Sequence, residues 1–99
     1  MATYEELYTL SSDSTLIAKV TTAIAVAAET IRTEEDTVTN HAARVQWAIR
    51  ALYNPDGEAR KIMWALMAQN KTASTATILA ASDAAIQTAV DNAVSLFIQ

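Results

Sequence analysis

His41 is the one histidine of the chain, and imidazole is the side chain best suited to proton transfer near neutral pH. A catalytic site would also need an acid partner and a nucleophile within hydrogen-bond reach. Asp36 is near in sequence, and Thr37 and Thr39 carry hydroxyls. His41 lies at the start of a predicted helix, however, where the positive end of the helix dipole disfavours the imidazolium. We therefore interpret His41 as a surface or capping residue, and we expect no catalytic residues.

The acidic segment Glu34-Glu35-Asp36 could bind a divalent cation through its carboxylate oxygens. It lacks the ligand spacing of a calcium loop, and a solvated acidic loop is the simpler interpretation. Gly57 is the only glycine, so no glycine-rich loop can surround a phosphate. There is no cysteine, which excludes a disulfide, a thiolate nucleophile or a zinc–thiolate site. The sequence predicts neither a metal nor a cofactor.

The formal net charge of −4 argues against direct binding of nucleic acid, which depends on cations that neutralise phosphates. Two predicted helices around the turn Asn54–Gly57 superficially suggest a DNA-binding pair, but the second begins with the acidic residues Asp56 and Glu58. A local basic group on an acidic protein better suits an acidic patch on another subunit, such as Glu34, Glu35 and Asp36 of a second copy. The local basic group consists of Arg44, Arg50, Arg60 and Lys61.

No membrane association is expected. The N-terminal residues 1–6 include no basic segment followed by an apolar core, so no signal peptide is visible. The longest unbroken apolar run, 23–28, is far shorter than the roughly 20 residues that span a bilayer. We expect the chain to be made in the cytoplasm and either used there or carried out of it in an assembly.

The 99 residues suit one helical domain, residues 1–99. Glycine and proline occur once each and together, at Pro55 and Gly57, and the rest of the chain offers alanine-rich stretches separated by Ser, Thr and Asn caps. We predict an all-α fold, a compact bundle of about four to five helices. The helices are expected from Thr3, over about 15–32, from Asn40 to about 53, from Pro55 to about 69, and from Ser82 onward, with 72–80 loosely structured or a short helical turn.

The apolar residues of each long helix recur three and four positions apart and predict its buried face. The expected core positions are Ile17, Val20, Ile24, Ala27 and Ile31 in the second helix; Ala42, Val45, Ile49 and Leu52 in the third; Ala59, Ile62, Met63, Leu66 and Met67 in the fourth; and Ile86, Ala89, Val90, Ala93 and Phe97 in the last.

Trp47 points roughly opposite the apolar stripe of the third helix, with Arg44 and Arg50 on either side. A large aromatic between arginines is typical of a protein interface. The alternative is a helix buried on two sides, since large aromatics also fill cores. The last 28 residues contain no basic residue and few charges, so they are either well buried or in contact with a partner. The expected interface residues are Trp47, Arg44, Arg50, Val26 and Phe97.

Several segments resemble small all-helical proteins from the virion-structure gene modules of tailed bacteriophages, over most of the chain from about Leu16. They are Asn40-His41-Ala42-Ala43-Arg44 with Trp47-Ala48, Asn54-Pro55, Ala59-Arg60, Met63-Trp64-Ala65, Asn70-Lys71, and Asp83-Ala84-Ala85-Ile86-Gln87 with Val90. The shared features are helix caps and apolar stripes. Such families include head–tail adaptors and head-completion proteins, which form rings between portal and tail.

The resemblance implies a non-enzymatic virion subunit, a head–tail connector that forms a ring by helix-mediated contacts. Its partners would be portal, tail or capsid proteins and further copies of itself, and a capsid-associated or tail-associated position is equally open. The alternative hypothesis is a small helical regulatory module that binds a host protein. An enzyme that uses His41 is the third reading.

Overall fold

Six helices form the described part of the chain, which in this computed structural model comprises residues 3–69 and 75–98. No strand occurs within these residues, so the all-α prediction is confirmed. The expected count of four to five helices is slightly low, because the stretch before Ser82 contains a short helix of its own. The helices are α1 (Tyr4–Leu10), α2 (Ser14–Thr33), α3 (His41–Tyr53), α4 (Pro55–Gln69), α5 (Thr75–Leu79) and α6 (Asp83–Ile98).

Helix α2 is the centre of the bundle and packs against α3, α4 and α6. Its predicted seam is confirmed, since Val20, Ile24, Ala27 and Ile31 are buried and Ile17 packs against the core at its edge. Helix α6 runs beside α2 in the same direction, since Leu16 and Ile86 line one hollow near the start of both helices and Ile31 and Val94 line another near their ends. Between them, the Gln87 side chain donates a hydrogen bond from Nε2 to the Ala23 carbonyl at 3.1 Å. The bundle is elongated and measures 41 × 22 × 20 Å.

By length and composition alone, α2 could also cross a membrane: it is 20 residues long, and its most apolar 18-residue window has a mean hydropathy of 1.3. In the fold, the apolar seam of α2 is covered by the neighbouring helices, and its outer face carries polar residues such as Thr22, Glu29 and Thr30. This arrangement is typical of the core helix of a bundle.

Side-chain caps begin most of the helices where the sequence predicts them. Glu6 and Thr3 form a reciprocal capping box, and the Asp13 carboxylate accepts the Leu16 backbone N–H at 2.8 Å. Asn54 and Ser82 likewise accept backbone N–H groups of α4 and α6. Asn40 is the exception: it precedes α3 in the left-handed region, with φ 62°, and its side chain makes no capping bond. Asparagine tolerates this conformation better than most residues do.

The predicted apolar faces of α4 and α6 are confirmed within the described residues. On α4, all five expected positions are buried. On α6, Ile86, Val90 and Ala93 are buried and Ala89 is partly buried. The side chain of Phe97 and the expected end of α4 at Asn70-Lys71 lie outside the described residues.

The predicted core stripe of α3 is wrong. Ile49 is 49% exposed and Leu52 66% exposed, Ala42 is exposed, and Val45 is only half-buried. The buried face instead carries Trp47, Ala48 and Ala51. The two alanines let α3 approach its neighbours closely, and the large indole ring fills the space that remains. A periodicity weighted by large aliphatic residues therefore selects the solvent-facing side of this helix.

Candidate interaction surfaces

Trp47 belongs to the core, which was the alternative left open by the sequence. Its side chain has 0% exposure, and its indole Nε1 donates a hydrogen bond to Glu58 Oε2 at 3.1 Å. A residue without accessible surface cannot anchor a partner in this fold. The predicted role of Trp47 as an interface anchor is therefore corrected, because the fold places the α3 face that carries it against α2 and α4.

Glu58, the partner of Trp47, is a buried carboxylate with 4% exposure. Its Oε1 lies 3.8 Å from Arg50 Nε and 3.5 Å from Lys61 Nζ, and both of these cationic side chains are more than half exposed. We call Arg50, Glu58 and Lys61 the α3–α4 corner. The sequence indicates Glu58 only as an acidic residue in the first turn of α4. Glu58 and Trp47 are eleven residues apart, and nothing in the sequence pattern indicates that their side chains meet.

Arg44 is paired within the chain. Its Nε and Nη2 donate to the Glu34 carboxylate at 2.9 Å each, to Oε1 and Oε2 respectively, in a two-point pair that ties α3 to the end of α2. The hydrogen bond from Arg44 lowers the pKa of Glu34, opposed by partial desolvation and assisted by His41. The same pair raises the pKa of Arg44. The carboxylate of Glu34 is thus already paired within the chain. The acidic residues of this loop that are left for other contacts are Glu35 and Asp36, which are exposed.

His41 pairs with Glu34 and not with Asp36. Its Nδ1 lies 3.1 Å from Glu34 Oε1, and its side chain is largely but not fully buried. Thr37 and Thr39 make no hydrogen bond to it in the part of the chain that the structure describes. His41, the first residue of α3, thus lies beside the ion pair between Arg44 and Glu34.

Two predicted interface residues meet in one groove. Val26, which is about half exposed, and Arg44 line a depression of about 410 Å³ between α2 and α6. Asp91 lies in the same groove and raises the pKa of Arg44 through its negative charge, and Gln87 donates a hydrogen bond to Asp91 Oδ1 at 3.0 Å. The polar side chains of this groove largely satisfy one another. Arg50 lies elsewhere, in the α3–α4 corner.

The outward face of α3 is an apolar surface that sequence reasoning assigned to the core. Ile49, Leu52 and Tyr53 are spaced three and four residues apart and so share one side of the helix, and Tyr53 is 87% exposed. We call these three residues the α3 ridge. Arg50 stands beside it. A second exposed aromatic group lies on α1 and α4, where Tyr8 and Trp64 pack with ring centroids 6.0 Å apart.

A concave surface with an apolar lining lies at another part of the bundle. It has a volume of about 560 Å³, and its walls come from α2, α4, α5 and α6 with the segment that joins the last two. Among its lining residues are Leu16, Met67, Ile78, Ala81, Ala85 and Ile86. We call it the apolar groove. Among the described residues that line it, none is charged and none is a histidine.

The described residues contain no group of three or more His, Cys, Asp and Glu side chains that could hold a metal ion. Taken together, the described residues form a small all-helical bundle whose apolar surfaces include the α3 ridge, the Tyr8–Trp64 pair and the apolar groove. Comparison with known protein families, with curated proteins and with solved structures gives no match.

Proposed function

We propose that this protein is a non-enzymatic structural subunit that assembles through helix-mediated contacts. The observation that carries the proposal is the α3 ridge, in which Ile49, Leu52 and Tyr53 present apolar surface side by side to solvent. Contiguous exposed apolar patches on small proteins are typical of surfaces that a partner covers.

The size of the ridge indicates how it would be used. Complete burial of one large aliphatic side chain contributes about 1.5–3 kcal/mol, and the ridge has three large side chains, of which Ile49 and Leu52 are already partly covered. Association costs an estimated 4–15 kcal/mol in lost freedom of motion. A single ridge contact should therefore hold only a weak pair, which forms at high protein concentration, and repeated contacts in a closed assembly suit the ridge better.

The particular assembly we propose is a ring in the virion of a tailed bacteriophage, with the chain as a head–tail connector between portal and tail. The resemblance of segments such as Asn40–Arg44 and Met63–Ala65 to virion-structure proteins supports this choice. The partners would be further copies of the chain together with portal, tail or capsid proteins, and the site of action would be the virion after synthesis in the host cytoplasm.

Electron microscopy of the purified full chain, joined to mass spectrometry of purified virions, tests the proposal. We expect ring-shaped particles and a fixed number of copies for each virion. A discrete one-to-one complex with a cellular protein, without any copies in virions, would instead favour the regulatory module. The variant Leu52→Ser should weaken ring formation while its helical content stays unchanged, and Ala25→Ser, at an exposed position on α2, is the matched control.

A further inference from the structure

The apolar groove has room for large apolar side chains from another molecule. Ala81, Ala85 and the nearby Ala89 form part of its lining, and Leu16, Met67 and Ile86 complete the apolar walls. Its volume of about 560 Å³ lies within the range of about 300–1,000 Å³ that is usual for binding pockets. Since alanine side chains reach only a short distance from the backbone, a protruding ridge can approach closely.

In the part of the chain that the structure describes, the charged residues near the groove are mainly acidic. A neighbouring hollow across α5, which includes Leu79, is lined by Glu5, Glu6 and Asp13. Asp83 is exposed and lies between the lining residues Ala81 and Ala85 in sequence. Lys19 shares a hollow with Asp83 and offsets that one charge. The three carboxylates beside α5 remain, and they favour a partner that carries positive charge next to its apolar surface.

The α3 ridge has that combination. Arg50 follows Ile49 in the ridge sequence, and Lys61 reaches the same carboxylate as Arg50 from α4. Two cations share Glu58, so the α3–α4 corner keeps one net positive charge. The ridge and the groove have no residue in common, and every copy of the chain carries both.

We infer that the occupant of the apolar groove is a second copy of this chain, which inserts its α3 ridge there with Arg50 toward the carboxylates beside α5. Because the two surfaces differ, the contact is head-to-tail, and a pair of copies keeps one free ridge and one free groove for further copies. Such contacts produce a ring when the rotation closes and a filament when it does not. The inference rests on the proposed function and names the contact by which the subunits would assemble.

Two variants test the contact, one on each surface. Leu52→Asp places a charge on the ridge, and Ala85→Asp places one in the groove; both positions are exposed, so the fold should tolerate them. We expect each to raise the dissociation constant of self-association about 30-fold or more, as loss of an interface anchor does. Light scattering after size-exclusion chromatography measures the mass, and far-UV circular dichroism checks the fold. Ala25→Asp is the control and should assemble like the wild type.

Mixing the two variants gives the decisive result. The Ala85→Asp chain keeps an intact ridge and the Leu52→Asp chain keeps an intact groove, so a concentrated equimolar mixture should form a dimer and nothing larger. Unchanged assembly of Ala85→Asp, or a mixture that stays monomeric, would overturn the inference. If Leu52→Asp fails to fold, Tyr53→Asp replaces it at the most exposed ridge position.

The two proposals fail in different ways. Rings that persist in the Ala85→Asp variant would refute the ridge-in-groove contact. The proposal that the chain is a structural subunit would still stand. A wild-type chain that stays monomeric at every concentration would also contradict the contact, while its presence or absence in virions still decides the proposed function.

Discussion

The hydrogen bond between Trp47 and Glu58 should be the most sensitive point of the fold. Both side chains are buried, and the indole N–H is the partner that satisfies one oxygen of a carboxylate removed from water. Trp47→Phe keeps an aromatic ring in the core but deletes this donor. An unsatisfied buried acceptor costs about 1–3 kcal/mol, and more when it is charged. We expect a loss of at least that amount, increased by the smaller volume of phenylalanine.

Trp47→Ala should be far more damaging. Truncation of a buried aromatic costs about 3–5 kcal/mol before the carboxylate is considered. A domain of this size is stable by only about 5–15 kcal/mol, so this variant should be close to unfolding. Urea unfolding followed by far-UV circular dichroism measures both changes. Trp64→Phe, at a half-exposed position, is the control and should stay within about 0.5 kcal/mol of wild type.

A double-mutant cycle separates the hydrogen bond from packing. Glu58→Leu removes the carboxylate, and the cations it leaves, Arg50 and Lys61, can turn to water because they are 57% and 63% exposed. Trp47→Phe should therefore cost less in the Glu58→Leu background, with a coupling energy of about 0.5–3 kcal/mol. Strict additivity would refute the reasoning, as would a Trp47→Phe variant as stable as wild type.

Four other substitutions examine the core, the ion pair and a helix start. Ile24→Ala and Ile86→Ala should each lower the unfolding free energy by about 2–5 kcal/mol, and melting curves that coincide with wild type would show that these seams are misplaced. The pKa of Glu34 lies below its ordinary value of 4.5 in the fold, so its pairing stabilises the protein above that pH and stops doing so as pH falls through the lowered pKa. The stability advantage of wild type over Glu34→Gln should accordingly be present at neutral pH and disappear in acid; an advantage that persists at low pH would contradict this cause. Gly57→Ala gains helix propensity of about 1 kcal/mol but its Cβ would meet Asn54 Nδ2 at 2.5 Å and displace the cap, so thermal melts should show little net change.

The sequence predicts the helices well because their limits depend on local chemistry. The side chains of Asp13 and Asn54 accept hydrogen bonds from backbone N–H groups three residues further along the chain. A spacing of three residues can be recognised in the sequence alone. The seam of α2 is likewise predictable, since large aliphatic residues occupy it at regular intervals. The short helix α5 is harder to foresee because its five residues carry little periodic signal.

The orientation of α3 could not be read from the same pattern. One side of α3 carries Ile49 and Leu52, and the other carries Trp47 with two alanines. Either side is apolar enough to be buried, and only the packing against α2 and α4 determines which one is. The partners of Arg44 and Trp47 are also tertiary features, because Glu34 and Glu58 lie ten and eleven residues away across a turn of the chain. Val26 and Arg44 were expected as contacts, and their meeting in one groove depends on the packing of α6 against α2.

The two tryptophans differ in a way that bears on spectroscopy. Trp47 has no contact with water, while Trp64 is half exposed and packs against Tyr8. A water-soluble quencher collides with the indole of Trp64 and is kept from that of Trp47, so the emission that resists quenching comes from folded chains alone. The emission of Trp64, by contrast, reports on whatever covers the outer side of α4. One chain thus carries two independent optical reporters, one for its own folding and one for the surface around it.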